Sequence, residues 1–194
     1  MKFSLPVIAL ILITSCGGPT NHNPQIRIYT SVGDMEAELY PDKAPKTVNA
    51  FLQNIDAGVY TNTSFYRVLY YEGATTAANT GLVQAGTWPS DNHLFSFVKN
   101  IPHEPTSQTR LTHTNGVLSM ARTTAGTAST EFFICIGDQS TLDAGGNTPA
   151  DKQGFAAFGQ VTNGMDIVRK IQIQPSNGGD GFKDKIQVYK IIRL

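Results

Sequence analysis

Short apolar segments with strand-like character recur along this chain, and they constrain its fold more than any other feature. Eight such segments are separated by turns rich in glycine, asparagine and proline, at 25–30, 35–40, 65–71, 82–86, 117–120, 131–136, 156–161 and 185–192. Apolar residues at helical spacing occur at 45–57 and 166–171. Many short, evenly spaced strands with two isolated helices predict a closed β-barrel or a sandwich.

The overall charge argues against two classes of protein, although a local basic patch stays open. The 194 residues show no repeat or coiled-coil pattern, so we expect one domain. Fifteen basic and fifteen acidic residues give a formal net charge of zero. Nucleic-acid-binding proteins and polybasic membrane-surface proteins need a net positive face. We therefore expect no nucleic-acid partner.

The amino terminus has the pattern of an export signal followed by a lipid-attachment site. Met1-Lys2 is a short basic start, and the apolar run at 5–13 is far shorter than the roughly 20 residues of a spanning helix. The next residues, Ile-Thr-Ser-Cys at 13–16, resemble the lipobox of bacterial lipoproteins. This resemblance implies a signal peptide at 1–15, lipid-bearing Cys16 with a flexible tether at 16–24, and a folded domain at 25–194. The alternative is a short apolar start with an incidental cysteine.

The second cysteine then has no partner within the chain. If Cys16 carries lipid through its sulfur, Cys135 cannot form an intrachain disulfide. Cys135 lies in the apolar run at 132–136. We expect it to be a small buried side chain rather than a reactive thiol.

Three segments place a few polar side chains among strand-like apolar residues. They are Phe-Tyr-Arg-Val at 65–68, Leu-Val-Gln-Ala-Gly at 82–86, and GVLSMARTTAGTASTEFFIC at 116–135. Together they resemble the active-face motifs of the cyclophilin family of peptidyl-prolyl cis-trans isomerases, and the ordered resemblance covers residues 25–171. It implies a mainly β fold, a closed eight-stranded antiparallel barrel with two capping α-helices. It also implies isomerase activity on proline-containing polypeptides, without a cofactor.

The chemistry of this reaction defines what the site must contain. Rotation about the bond before proline has a barrier of roughly 18–20 kcal/mol from amide resonance. No bond is made or broken, so neither a nucleophile nor a metal is needed. The twisted transition state leaves a lone pair on the prolyl nitrogen, which a fixed cationic donor stabilises more than it stabilises either planar ground state. The requirement is an arginine beside an apolar cleft that holds the proline ring.

Arg67 and Gln84 are the predicted catalytic residues. Taken alone, an arginine within a strand is most often a surface residue. The resemblance assigns Arg67 the role of the catalytic arginine and Gln84 that of the glutamine that orients it, in a Gln-Ala-Gly version of the family's Gln-Gly-Gly. It also implies ten residues that bind the peptide: Phe65, Leu82, Met120, Ala121, Arg122, Thr123, Glu131, Phe133, Leu142 and Phe155. For any one apolar member of this set, core packing is the alternative.

Several positions depart from the family pattern. Glu131 replaces the usual glutamine, and we expect its carboxylate to pair with Arg67 or to compete with substrate for it. Phe155 stands where a histidine often closes the pocket, and Gly81 and Leu82 stand where phenylalanine and methionine are frequent. The segment at 70–80 is longer than the usual connection. These changes predict weaker or altered isomerase activity.

The remaining expectations concern partners and location. The four histidines lack the spacing of metal ligands, so we expect no metal site. We expect a monomer, anchored in a bacterial envelope through Cys16 and facing the periplasm, where it assists the folding of envelope proteins. Gly17 is not the acidic retention signal of inner-membrane lipoproteins, which favours the outer membrane. The alternatives are a module that binds proline peptides with little turnover and a purely structural lipoprotein.

Overall fold

The computed structural model describes residues 23–70, 80–88 and 98–194, so the predicted signal peptide, Cys16 and most of the 70–80 segment lie outside the described residues. Eight strands, three α-helices and one 3₁₀ turn at Ser140–Leu142 make up these ranges. The strands are β1 (Gln25–Thr30), β2 (Gly33–Leu39), β3 (Thr63–Tyr70), β4 (Gly81–Gly86), β5 (Val117–Met120), β6 (Phe132–Ile136), β7 (Ala156–Asn163) and β8 (Gly181–Arg193). The helices are α1 (Pro45–Asp56), α2 (Thr106–Thr109) and α3 (Met165–Gln172).

The strands form one closed antiparallel barrel in the order β1-β2-β7-β5-β6-β4-β3-β8. β8 pairs with both β3 and β1, and the second pairing closes the sheet. The sequence pattern alone allowed a barrel or a sandwich, and the barrel implied by the family resemblance is confirmed. Closure leaves no edge strand among the eight, so every strand has a hydrogen-bonded neighbour on both sides.

Two hydrophobic clusters result from the alternation of side chains along the strands. On β6, Phe132 and Ile134 point into the barrel core, whereas Phe133 and Cys135 point outward into a smaller cluster. Cys135 is fully buried there, and burial raises the pKa of its thiol, which agrees with the expected inert side chain. The outer cluster matters for function because it forms the floor of a cavity described below.

Helices α1 and α3 contribute apolar side chains to the barrel core. Phe51 of α1 contacts the rings of Phe132 and Phe158 at centroid distances of 5.4 and 4.8 Å. Val168 and Ile171 of α3 belong to the same core cluster. These are the two helices that the spacing predicts. The four-residue α2 was not predicted, because a single turn is too short to show an apolar period.

A bulge in β3 changes which side chains face outward. Phe65 pairs with Ala85 and Arg67 pairs with Gln84, so Tyr66 has no partner of its own on β4. Strict alternation would place Phe65 and Arg67 on one face. Instead, Phe65 belongs to the barrel core, and Arg67 faces outward.

Part of the described segment before α2 is buried, although it contains no strand. Glu104 is only 1% exposed. Its carboxylate accepts hydrogen bonds from the backbone N–H groups of Lys46 and Thr47 and from the Thr47 hydroxyl, at 3.2, 2.8 and 2.7 Å. The residue before α1, Ala44, provides no side-chain cap, so Glu104 caps this helix from a distant part of the chain.

Candidate active site

A cavity of about 390 Å³ lies on the outer face of the barrel, where β3, β4 and β6 meet the segments that follow β5 and precede β7. It combines one apolar end with several polar groups. Among the described residues, its lining consists of Arg67, Leu69, Leu82, Gln84, Ala121, Arg122, Thr123, Thr127, Ser129, Glu131, Phe133, Leu142, Thr148 and Phe155.

The apolar end is built on the outward side chain of Phe133. The ring of Phe155 meets it edge to face, with centroids 5.3 Å apart and an interplanar angle of 87°. Leu82 and Leu142 belong to the same cluster and are nearly fully buried. These side chains form an apolar pocket with an aromatic floor.

A buried polar chain supports Phe133 from below. The imidazole of His113 stacks on the Phe133 ring at 5.9 Å and 18°. Its Nδ1 lies 2.6 Å from Asp143 Oδ1, and its Nε2 lies 2.9 Å from Ser119 Oγ. Because the carboxylate only accepts, Nδ1 carries a hydrogen, and in the neutral ring Nε2 accepts from the serine hydroxyl. These residues hold the pocket floor in one orientation.

His113 was not among the residues predicted to contribute to the site. Histidine was considered there only as a metal ligand, and the link to Asp143 spans 30 residues. A single histidine in a loop carries no local signal for such a contact. Among the described residues, no group of three histidine, cysteine, aspartate or glutamate side chains is placed to hold a metal ion.

Arg67 forms part of the cavity wall because of the β3 bulge. Its Nη2 donates to Asp180 Oδ2 at 2.9 Å, and the two side chains are 41% and 57% exposed. Asp180 also fixes the strand, because its backbone carbonyl accepts from the N–H of Val68 at 2.7 Å. The guanidinium has five N–H donors, so one contact leaves others available to a bound peptide.

Gln84 lies directly opposite Arg67 in the β3–β4 ladder. Its amide nitrogen donates to the Tyr66 hydroxyl, and that hydroxyl donates to Glu131 Oε2 at 2.6 Å. Burial, followed by the charge of Glu131, raises the pKa of Tyr66, so this hydroxyl keeps its proton. The direct partner of Gln84 is therefore the tyrosine, which the sequence reasoning did not single out.

Glu131 does not form the expected ion pair with Arg67. Its Oε1 accepts from the Thr87 and Trp88 backbone N–H groups at 2.8 and 3.1 Å. The Thr87 and Thr130 hydroxyls lie 3.0 and 3.1 Å from Oε1 and 2.6 Å from each other, so one of them donates to Oε1 and the other donates to that hydroxyl. Every one of these donors is neutral. Among the described residues, the carboxylate that pairs with Arg67 is Asp180.

Arg122 is a wall residue whose own charge is already matched. Its side chain is 1% exposed and forms two parallel hydrogen bonds with Asp151, at 2.7 and 2.9 Å. It also donates to the carbonyl of Gly154, and its guanidinium lies 5.3 Å from the centre of the Phe155 ring. The Arg122 guanidinium lowers the pKa of Asp151 to about 2. The pair holds Phe155 against the pocket.

Phe65 and Met120 are the two predicted binding residues that do not reach the cavity. Both are fully buried in the barrel core. Phe65 precedes the bulge, and its ring contacts that of Phe132 at 6.2 Å. Met120 follows the alternation of β5, on which Ser119 faces outward and Met120 inward. Their predicted role in lining the pocket is corrected to core packing.

The other predicted catalytic and binding residues all line the cavity. Leu69, Thr127, Ser129 and Thr148 join them without having been predicted, because nothing in their local sequence marks them as pocket residues. In the part of the chain that the structure describes, no helix is both long and apolar enough to cross a membrane.

Comparison with known proteins agrees with this geometry. Residues 25–192 match the model of the family described as cyclophilin type peptidyl-prolyl cis-trans isomerase/CLD. The chain is 33% identical over 156 residues to peptidyl-prolyl cis-trans isomerase A of Dickeya dadantii (strain 3937), covering 79% of this chain and 74% of that protein. It is 32% identical over 148 residues to peptidyl-prolyl cis-trans isomerase B of Escherichia coli (strain K12), covering 76% and 83%.

Solved structures support the fold. A cyclophilin-type peptidyl-prolyl cis-trans isomerase of Cryptosporidium parvum superimposes with a TM-score of 0.70 at 21% identity, over 89% of this chain and 98% of that one. The same protein in the presence of the dipeptide Ala-Pro gives a TM-score of 0.68 at 22% identity, over 88% and 98%.

Proposed function

Because the chain belongs to the cyclophilin-type peptidyl-prolyl cis-trans isomerases, it is an isomerase of prolyl peptide bonds, and we propose that Arg67 is its catalytic residue. The observation that carries this proposal is that the β3 bulge puts Arg67 in the wall of the same cavity whose apolar end is formed by Phe133. A cationic donor and an apolar pocket for the proline ring are the two parts that the reaction needs.

The proposed mechanism divides the work between these two parts. The proline ring occupies the apolar end, against Phe133, Leu142 and Phe155. The preceding carbonyl then turns while the ring stays fixed. An N–H of Arg67 donates to the prolyl nitrogen as its lone pair develops, an interaction stronger in the twisted state than in either planar one. Rotation forms and breaks no covalent bond, so the proposal requires no cofactor.

Gln84 has an indirect role in this proposal. It anchors Tyr66 through a hydrogen bond, and Tyr66 is the extra residue of the bulge that precedes Arg67. Holding the bulge holds the start of the arginine side chain. Gln84 therefore positions Arg67 through the backbone rather than by a side-chain contact with it.

The cellular setting is a separate proposal that rests on the sequence alone. We propose that Cys16 is lipidated and anchors the domain in a bacterial envelope on the periplasmic side, where proline-containing segments of folding envelope proteins are its substrates. The support is the lipobox-like Ile-Thr-Ser-Cys at 13–16. Labelling with a fatty-acid probe tests it: wild-type protein should incorporate the label and fractionate with membranes, and Cys16→Ala should do neither.

One observation favours a second candidate, a peptide-binding module with little turnover. The proposed donor Arg67 already contacts Asp180 in the free protein. If that ion pair persists with peptide bound, the cavity would hold proline without accelerating its rotation.

Prolyl exchange in a short peptide, followed by NMR, separates the two candidates. Wild-type protein should accelerate exchange, and Arg67→Ala should lose most of this acceleration while retaining peptide binding. Arg193→Ala is the matched control, because Arg193 and Asp56 form a surface ion pair with similar exposures of 45% and 56%. Binding without acceleration by the wild-type protein would favour the module, and unchanged exchange in Arg67→Ala would refute the assignment of Arg67.

A further inference from the structure

We infer that this cavity selects proline segments that carry a lysine or arginine within about two residues of the proline, and that Glu131 recognises this cation. The inference rests on the proposed use of the cavity for proline peptides. It adds a substrate preference that follows from the charges around the cavity.

The charges that line the cavity do not balance without a ligand. Arg67 is matched by Asp180 at 2.9 Å and Arg122 by Asp151 at 2.7 Å. Glu131 is the remaining charged lining residue, and among the described residues no lysine, arginine or histidine nitrogen lies within ion-pair distance of it. The described cavity with its direct ion-pair partners therefore carries one uncompensated negative charge. A cationic side chain of a bound peptide would compensate it.

The Glu131 carboxylate is held in place rather than free to swing away. Its Oε1 accepts three hydrogen bonds, from the Thr87 and Trp88 N–H groups and from one of the Thr87 and Thr130 hydroxyls, whereas Oε2 accepts one, from Tyr66. An oxygen with two lone pairs and one hydrogen bond has capacity for another donor. A lysine ammonium or an arginine N–H can supply it.

The backbone beneath Glu131 leaves space for this carboxylate and little else. A Cβ added to Gly86 would lie 2.3 Å from Oε2 and 2.5 Å from Cδ of Glu131. Gly86 also has a φ of +152°, which L side chains rarely adopt. The glycine thus lets the carboxylate lie directly on β4, with a fixed position relative to the apolar end of the cavity.

The spacing between Glu131, which immediately precedes β6, and Phe133, on β6, fits one extended peptide. Glu131 and Phe133 are two residues apart and both line the cavity, so their backbone positions are about 7 Å apart. A peptide in an extended conformation advances by the same distance in two residues. With its proline ring against Phe133, a residue one or two positions away reaches Glu131 through a lysine or arginine side chain.

Three peptides that differ only in one charge test the preference. The series carries Lys, Ala or Glu two residues before a common Ala-Pro, and a second series carries the same residues after the proline. Both kcat/KM from NMR exchange and the Kd from titration are measured with the full protein. We expect the Lys peptide to exceed the Glu peptide by about three- to tenfold in at least one series, as for a partly exposed ion pair, and to lose this advantage at high salt.

Variants separate the charge of Glu131 from its structural role. In Glu131→Gln the ratio of kcat/KM for the Lys peptide to kcat/KM for the Glu peptide should fall to near one. In Tyr66→Phe the charge remains and the ratio should persist. Asp166→Asn removes the same charge from an exposed site on α3, 72% exposed, and should leave the ratio unchanged. If Glu131→Gln does not fold, the loss of the Lys-peptide advantage at high salt in the wild-type protein still tests the preference.

The outcomes for the preference and for the proposed function are distinguishable. Equal kcat/KM and equal Kd for all three peptides in both series would overturn the preference and leave the isomerase function intact. Charge-dependent Kd values without any rate acceleration would support the preference and refute turnover at this cavity. A ratio unchanged in Glu131→Gln would overturn the assignment of the cation to that residue.

Discussion

Removing the carboxylate of Glu104 should destabilise the protein more than any surface substitution. In Glu104→Ala, the Thr47 N–H and hydroxyl lose their acceptor at a site where both Thr47 and Glu104 are nearly fully buried. Each buried donor left without a partner costs about 1–3 kcal/mol. Lys46 is exposed, so water can hydrate its backbone N–H, and only the two Thr47 donors count. We expect a loss of about 3 kcal/mol in the free energy of unfolding.

The isosteric variant tests the reasoning more sharply. Glu104→Gln keeps one oxygen for the Thr47 pair but turns an NH₂ group toward the Lys46 N–H, and it loses the favourable charge at the start of α1. We expect a cost of about 1–2 kcal/mol, between wild type and alanine. Thr47→Val with Glu104→Ala should cost less than the sum of the single changes, because the hydroxyl is then no longer unsatisfied.

Urea denaturation followed by circular dichroism measures these differences, and the melting temperature provides a second reading. For a domain of this size, 3 kcal/mol corresponds to a decrease of about 6–12 °C. Asp166→Asn is a control for the loss of an exposed carboxylate and should lie within about 0.5 kcal/mol of wild type. A glutamine variant as destabilised as the alanine variant, or an alanine variant within 1 kcal/mol of wild type, would refute the capping argument.

The hydrogen bonds of Glu104 should also affect the binding of peptide. The segment held by Glu104 continues to Ile101, whose N–H donates to the carbonyl of Ala128 at 2.7 Å. Ala128 lies between Thr127 and Ser129, which line the cavity. Loosening Glu104 should therefore raise KM for a peptide more than it lowers kcat.

For three further substitutions, the structure predicts the direction of the change in activity or stability. Asp180→Asn frees the proposed catalytic guanidinium of Arg67 from an exposed ion pair worth at most about 1 kcal/mol, so kcat/KM should rise by no more than about fivefold. Asp56→Asn, which breaks the surface ion pair with Arg193, should leave kcat/KM unchanged. A loss of activity in Asp180→Asn would show that the ion pair positions the donor. Arg122 lowers the pKa of Asp151 to about 2, so the stabilisation of the folded protein by this ion pair should be complete above about pH 4 and disappear as the pH falls through 2. A melting temperature of Asp151→Asn that falls as steeply as that of wild type below pH 4 would contradict this. Ser119→Ala leaves the buried imidazole nitrogen beneath the pocket floor without its donor, and should cost about 1–3 kcal/mol in urea denaturation; a smaller loss would mean that this hydrogen bond contributes little.

Much of the barrel was predictable because strand periodicity is local. The apolar run at 132–136 lies within the strand predicted at 131–136, and the observed β6 differs from that prediction by one residue. The helical spacing at 45–57 likewise predicted α1 to within one residue. The four-residue α2 was not predictable, because one helical turn has no period. The capping role of the buried Glu104 was not predictable either, because Glu104 lies 58 residues from Lys46 and leaves no local pattern.

The site was predictable in its residue types and less so in its contacts. Family resemblance identified Arg67, Gln84 and Phe133, and all three line one cavity. It did not identify the partner of Arg67, because Asp180 is 113 residues away in the chain. It also assigned Phe65 to the pocket, since the motif does not reveal a bulge.

The sequence by itself determined which segments become strands and helices, and which residue types are available for a proline site, because these depend on periodicity and motif within a few residues. The tertiary structure alone decided which side chains share the cavity. One unpaired residue, Tyr66, shifts the alternation of β3 and turns Arg67 outward while Phe65 stays in the core. The pairing of β3 with β8 brings Asp180 to Arg67, and the packing of the segment before β7 brings Asp151 to Arg122. Glu131 is left among neutral donors. Contacts of this kind depend on register and closure, which no local pattern encodes.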